Sequence, residues 1–195
     1  VGNIGNPILS IKNVSKKTIF VIEASSYQLD YSQIFKSKYA LILNISPDHI
    51  ERHKTIEKYL KAKFKLIKNQ KKGHLAFVKK NDELIQKEIS SNKFKGRIIG
   101  VNTNKHSSFY KNVKNKYFFT ETNHENLTFV LELAKYLKLK KKLLLKTIQN
   151  FKGLKYRQQI IFQNKNLTII NDSKSTSFSS TIGVLKSNEN ILWLL

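Results

Sequence analysis

Scarce residue types mark where this chain could do chemistry. Its 36 cationic side chains include only three arginines, Arg52, Arg97 and Arg157. In a chain that uses Lys by default, an Arg marks a place that needs a planar, permanently charged fork. The two prolines are Pro7 and Pro47, and the four aspartates are Asp30, Asp48, Asp82 and Asp172. Most of these fall in four short windows: Gly2-Asn3-Ile4-Gly5-Asn6-Pro7, Pro47-Asp48-His49-Ile50-Glu51-Arg52-His53, Gly153-Leu154-Lys155-Tyr156-Arg157 and Asn171-Asp172-Ser173-Lys174-Ser175-Thr176. Glu23, Asp48 and His49 add oxygen and nitrogen donors at what read as adjacent strand ends. Carboxylates acting with waters and phosphate oxygens suit Mg2+. A lone carboxylate in such a place more often caps a helix or pairs with a cation; two such strand ends shift the balance modestly toward a metal.

One lysine stands apart. Ile56, Tyr59, Leu60, Lys63, Phe64 and Ile67 share a face at helical spacing, whereas Lys58, Lys61, Lys65 and Lys68 lie mostly elsewhere. Lys63 either snorkels from the rim of the core, which the pattern alone favours, or is an amine made usable for chemistry by partial burial, which disfavours its charged form. A phosphate loop of the G-x-x-x-x-G-K-[ST] type does not occur in the sequence.

The elements that must position these groups follow from periodicity. Residues 18–22 predict a buried strand ending at Glu23-Ala24-Ser25-Ser26, and residues 39–45 a second one ending at Pro47-Asp48-His49. Thr55 caps a predicted helix running to about residue 70, with Glu57 in its first turn. A strand over 74–78, a helix over 82–90, a strand over 97–101 and a short strand over 116–120 follow. Helices over 124–137 and 140–151 come next, then a strand over 167–170, a helix over 176–186 and a last strand over 191–195. The alternation predicts an α/β fold with a mainly parallel sheet flanked by helices. In such sheets ligands bind beyond the carboxyl ends of the strands. The best boundary lies near residues 153–157, giving one domain over 1–154 and the beginning of a second, truncated one over 155–195.

Composition bounds the function classes. With 195 residues, 40% of them hydrophobic, the chain can build a sizeable core. No apolar run approaches the roughly 18–20 residues of a membrane helix, and no secretory signal opens it. Zero Cys excludes a disulfide scaffold and a thiolate metal site, and suits a cytosolic enzyme. The lack of any Met suggests a chain that begins inside its gene. The net charge of +23 admits a nucleic-acid binder. Its lysines are spread along the chain, however, and Lys, Asn and Ile are what A/T-rich codons specify. The charge therefore reads better as general attraction for polyanions than as a site.

In sequence order, the windows above join Glu23-Ala24-Ser25-Ser26-Tyr27-Gln28-Leu29 and Tyr59-Leu60-Lys61-Ala62-Lys63. Together they resemble the Mur ligases of peptidoglycan synthesis, over essentially the whole chain. The D-H-x-x-R-H and Y-x-x-A-K elements are shared across that family and in part with its folate-polyglutamate relatives. The N-D-S-K-[SA]-T element is narrower and resembles the branch that adds D-glutamate to UDP-N-acetylmuramoyl-L-alanine. The resemblance implies a UDP-substrate domain, a central ATPase domain and a Rossmann-like C-terminal domain. This chain would begin just past the phosphate loop, cover the rest of the central domain and end early in the third.

Carried over residue by residue, the resemblance implies that Glu23 and His49 hold Mg2+ near the phosphates. Lys63 matches a lysine that is carbamylated in the family, its carbamate binding a second Mg2+. Asn3, Ser25 and Gln28 would contact the muramoyl-alanine substrate. Asn123 and Asn126 fit an H-N-x-x-N nucleotide contact, with Thr122 in place of His. Arg157, Asp172 and Lys174 would address ATP, and Thr176 the incoming glutamate or phosphate. Lys63, His49 and Lys174 are the catalytic candidates. ATP would phosphorylate the alanyl carboxylate, and the D-glutamate amine would attack the acyl phosphate. Tyr156 stands for the usual His before Arg157, and Ser177 for the usual Asn after Thr176. The implied partners are both substrates and ATP, without nucleic acid or membrane insertion. The complete protein would be a cytoplasmic monomer, and this piece alone inactive. Two alternatives stand: another amide ligase of the superfamily, which residues 171–176 argue against, and a basic nucleic-acid-binding protein. The latter predicts clustered Lys/Arg with interleaved aromatics, and the sequence offers no clear case of that.

Overall fold

The computed structural model describes every residue except Asp48, His49, residues 105–107, Ser177 and Leu195. Chain contacts divide it into two compact units, Val1–Gly100 and Val101–Leu195. Among the described residues no helix is long and apolar enough to cross a membrane.

The first unit is built on a three-stranded sheet in the order β1 (Tyr39–Ile42), β2 (Leu75–Lys79), β3 (Arg97–Val101). β1 and β2 run parallel, with Tyr39 opposite Leu75 and Ile42 opposite Val78. β2 is central, and Ala76, Phe77 and Val78 are all buried, as a strand covered on both faces requires. The predicted helix after Thr55 is present as α3 (Ile56–Lys68), its N-terminus capped by the Thr55 hydroxyl, which accepts from the Lys58 N–H. Tyr59, Leu60, Phe64 and Ile67 of α3 pack with Ala40, Ile42, Ala76 and Val78 of the sheet and Ile85 of α4 (Glu83–Ser90). Asp82 caps α4 through the Ile85 N–H at 3.0 Å.

Two expectations fail in this unit. Residues 18–22 do not form a strand. Their backbone contacts are sparse: Thr18 bonds Ser15 in a local turn, the Val1 ammonium donates to the Val21 carbonyl at 3.1 Å, and the adjoining Glu23 forms an isolated parallel bridge with Gly2. Ile19 and Val21 stay 84% and 81% exposed. A β-branched run becomes a buried strand only where neighbours satisfy its backbone and cover its faces. Conversely, a short helix α1 (Ser26–Tyr31) stands where none is predicted. Ser25 and Gln28 form its capping box: the Ser25 hydroxyl accepts from the Gln28 N–H, and the Gln28 side-chain carbonyl accepts from the Ser25 N–H. A four-residue helix, α2 (Ile50–His53), precedes α3.

In the second unit, α5 (Glu121–Tyr136) and α6 (Lys141–Asn150) enclose a core of Val113, Phe118, Leu127, Leu131 and Ile148. The strand predicted over 116–120 is instead a 3-10 turn, Lys116–Phe119. Asn115 sets it: its side-chain carbonyl accepts from the Tyr117 N–H, while its amide donates to the Ile148 and Phe151 carbonyls. Beyond α6, β4 (Gln159–Gln163) and β5 (Thr168–Asn171) form an antiparallel hairpin. β5 was predicted and β4 was not. Asn164 closes the turn by accepting from the Asn166 and Leu167 N–H groups. α7 (Phe178–Lys186) packs against α5. The strand predicted over 191–195 is not formed at residues 191–194, which have no ladder partner among the described residues.

Candidate functional site

In the first unit, three motif windows meet at one buried side chain. His53 closes α2 and is 4% exposed. Its Nε2 lies 3.0 Å from the hydroxyl of Ser26, itself buried at the start of α1. Its ring stands 5.7 Å from that of Tyr27 and 5.4 Å, edge-on, from that of Tyr59. Tyr59 in turn has the Lys63 ammonium over its face, 5.1 Å from the centroid. The Glu23–Gln28, Pro47–His53 and Tyr59–Lys63 windows are thus held together through His53 and two tyrosines. Lys63 is half-buried, as an inward lysine on an amphipathic helix should be.

The other expected groups of this unit are placed as follows. Glu23 is exposed at the end of the bridge with Gly2, and its Oε1 lies 3.4 Å from the Asn3 amide nitrogen, so these two side chains share one edge. Ser25 and Gln28 bond each other in the α1 cap, and the Gln28 side chain remains exposed. His49 lies outside the described residues. Among the described residues, no group of three His, Cys, Asp or Glu side chains could cage a metal. A single carboxylate with room for waters and phosphate oxygens nevertheless suits Mg2+, which is seldom held by an all-protein cage.

In the second unit the Gly153–Arg157 and Asn171–Thr176 windows are locked to each other. The Gly153-to-Gln158 turn carries three left-handed residues, Gly153 (φ 75°), Tyr156 (φ 64°) and Gln158 (φ 46°). Only Gly153 meets that conformation without a side-chain penalty, and a Cβ there would come within 2.6 Å of the Tyr117 ring. Non-glycine residues in this region persist where their surroundings over-determine them. Here the surroundings are Asp172 and its neighbours. The Asp172 carboxylate accepts from the Gln158 N–H at 2.9 Å and from the Ser175 hydroxyl at 2.7 Å. The Lys174 N–H donates to the Tyr156 carbonyl at 3.0 Å. The Gln158 side-chain carbonyl then accepts from the Thr120 hydroxyl and the Asn123 amide, both at 2.7 Å. Asn123 also donates to the Tyr117 carbonyl at 2.9 Å.

Asn123, Arg157, Asp172 and Lys174 therefore share one neighbourhood. Tyr117 senses it: burial raises its hydroxyl above the ordinary value, Arg157 pulls it down and Asp172 pushes it up. Arg157, Lys174 and Thr176 are exposed, whereas Asn123 is buried and its amide is spent on the scaffold. Asn126, one turn further along α5, is half-buried. Sequence reasoning missed His53, Tyr27 and Gln158 as the residues that fix these arrangements. The closing His of D-H-x-x-R-H was on view; its partner Ser26 was not deducible without the fold.

Known proteins bear on this geometry. The Mur ligase middle domain family matches residues 3–136, well over half of the chain. Among curated relatives, a Rickettsia felis protein is 32% identical over 99% of this chain and 46% of its own length. One from Buchnera aphidicola subsp. Schizaphis graminum is 34% identical over 100% and 47%, and one from Clostridioides difficile 28% over 100% and 47%. All three are named UDP-N-acetylmuramoylalanine--D-glutamate ligase. The chain spans about half the length of these relatives. With the α/β sheet and the converging windows, the family match over most of its length establishes that the chain belongs to the Mur ligase family.

Proposed function

We propose that the complete protein carrying this chain is a cytoplasmic, monomeric ATP-dependent ligase that joins D-glutamate to UDP-N-acetylmuramoyl-L-alanine through an acyl phosphate. The observation that carries the reading is the bracing of the Gly153-to-Gln158 turn by Asp172, which leaves the Arg157 and Lys174 cations exposed on two interlocked turns. Cations carried on a braced backbone are suited to stabilise charge developing on phosphoryl oxygens. The names of the curated relatives favour D-glutamate as the amino acid.

In this reading Glu23, with His49 and a carbamate on Lys63, holds Mg2+. When bound, the metal neutralises phosphate oxygens so that a nucleophile can approach. The residues do the rest by position. Asn3, Ser25 and Gln28 face the muramoyl-alanine end, Asn123 and Asn126 border the nucleotide, and Thr176 meets the incoming glutamate or the phosphate. With Asn123 committed to Gln158 and Tyr117, its part is to shape the nucleotide wall through Gln158. The domain division at 154/155 belongs to the same reading: residues 1–154 as the central ATPase domain and 155–195 as the opening of the Rossmann-like one.

The test is phosphate release by the complete protein given both substrates, ATP and Mg2+. Lys63→Ala should abolish turnover, and a small carboxylate such as acetate should restore part of it. Unchanged turnover would show that Lys63 only snorkels and would remove the carbamate from the reading. Replacing D-glutamate by L-alanine or a diamino acid should give no product; turnover with either would favour another amide ligase of the family.

A further inference from the structure

The cleft beside α2 and α3 carries far more positive charge than its neighbours balance. It is a cavity of about 370 Å3 whose charged lining is Arg52, Lys54, Lys58, Lys61 and Lys65 against one carboxylate, Asp30. Lys58, Lys61 and Lys65 recur at helical spacing and form one stripe of α3. Arg52 is held in place from α1: its Nη2 donates to the Tyr31 hydroxyl at 2.8 Å, and its guanidinium lies 5.5 Å from the Tyr31 ring centroid. Asp30 is already engaged by Lys65, which bonds both its backbone carbonyl and, at 3.3 Å, its carboxylate; Arg52 stands 3.9 Å away. Lys61 attracts Glu57. Lys54 and Lys58 have no ion-pair partner among the described residues. Lys54 sits besides in a left-handed conformation, φ 67°, at the end of α2, where Gly is the usual residue.

Like charges a turn apart on a helix repel. Such a stripe is stabilised when a polyanion neutralises several lysines at once. We infer that this cleft binds a compact oligophosphate, a function the ligase reading does not assign to it. The volume lies in the range of small-molecule pockets, about 300–1,000 Å3. Lysine ammoniums act as point charges suited to phosphate, with Arg52 as the fork. A singly charged anion would leave most of the stripe unbalanced. A nucleic-acid strand would call for exposed ring faces on which bases stack. The aromatic ring lining the cavity is that of His53, buried against Tyr27 and Tyr59, and the exposed Tyr31 ring beside the cleft is taken up by the Arg52 guanidinium.

The test is calorimetric titration of the 195-residue chain with inorganic tripolyphosphate at low ionic strength. Binding is expected, weakening as salt is added. The exposed pair Lys58→Glu/Lys61→Glu should lose about tenfold or more in affinity. The control pair Lys142→Glu/Lys146→Glu removes the same charge from the exposed face of α6 and should lose less than about threefold. The milder Lys58→Gln/Lys61→Gln pair should fall between, with circular dichroism confirming that each variant is folded. Equal losses in both reversed pairs would reduce the effect to net charge and overturn the proposal. Absence of binding would do the same. So would retention of an oligouridylate without tripolyphosphate, which would make the face a nucleic-acid surface.

Discussion

At the scale of single residues, His53 is the sharpest case of a side chain that acts by holding others. Its imidazole satisfies the buried Ser26 hydroxyl and separates two tyrosine rings. His53→Ala should destabilise the first unit by about 2–4 kcal/mol, because a cavity and an unpaired hydroxyl are created together. His53→Phe separates the two effects. It restores ring contacts but strands Ser26, so about 1–3 kcal/mol of loss should remain. Adding Ser26→Ala should recover part of it. Denaturant unfolding of the parent, His53→Phe, Ser26→Ala and the double variant measures the cycle; a fully additive result would show that the His53–Ser26 bond is incidental. Tyr110 offers a pH signature in the second unit. Burial raises its hydroxyl from 10.0 to about 12, against a smaller opposing pull from its bond to Thr128. A raised value in the folded state means that the tyrosine's contribution is complete below pH 10 and is lost as pH rises through about 12. Tyr110→Phe should therefore flatten the fall of stability over that window relative to the parent, as followed by thermal unfolding. An unchanged slope would place Tyr110 in water. Lysines titrate there as well, which is why the difference between the two proteins is the quantity to read. Of these residues, Lys63 could be singled out in the sequence, because one lysine on an apolar stripe breaks a pattern. Ser26 could not: a hydroxyl becomes a partner only when the fold supplies the other atom.

At the scale of elements, the contact of α5 with α7 turns on two small residues. A Cβ on Gly183 would stand 2.3 Å from the Thr122 hydroxyl oxygen. Gly183→Ala should force α7 away from α5 or rotate Thr122, destabilising by about 1–3 kcal/mol. Thr122→Ala in the same chain should relieve most of that. If the double variant is no better than the single one, the backbone rather than Thr122 sets the approach. The pair also gives a physical setting for Thr122 where the family resemblance expects His: an imidazole is far bulkier than a threonine side chain, and α7 leaves little room there. The elements legible in the sequence were those with their own punctuation. α3 is legible from Thr55, whose side chain does cap it; α4 and β3 stand where the alternation places them, and the structure adds that Asp82 caps α4. Elements defined by remote partners were not. Residues 18–22 look like a strand until one asks what pairs them, and β4 becomes a strand only because β5 folds back on it.

At the scale of the whole molecule, charge is the property most plainly written in the sequence. What the sequence concealed was its local arrangement. Lysines spread evenly along the chain still gather on one stripe of α3, because a helix brings every third and fourth residue together. The remaining excess has a consequence for stability. A chain of net charge +23 repels itself. Several of its ion pairs are exposed or half-exposed: Arg52 and Lys65 share Asp30, and Lys135 meets Glu132 one turn away. Each such pair is worth at most about 1 kcal/mol and is itself screened by salt. General repulsion, summed over the excess cations, should outweigh them. Raising sodium chloride from roughly 10 mM to roughly 200 mM shortens the screening length from about 30 Å to under about 10 Å. Repulsion across the surface is then suppressed while contacts at 3–4 Å are only weakened. The thermal midpoint should accordingly rise by about 2–5 °C. A fall would mean that the few pairs around Asp30 and Glu132 matter more than the net charge. The oligophosphate cleft predicts one refinement. At low salt, tripolyphosphate should raise the midpoint more than chloride of equal ionic strength, because a ligand bound only by the folded state adds to screening. The Lys58→Glu/Lys61→Glu pair should erase that extra rise and leave the chloride effect in place.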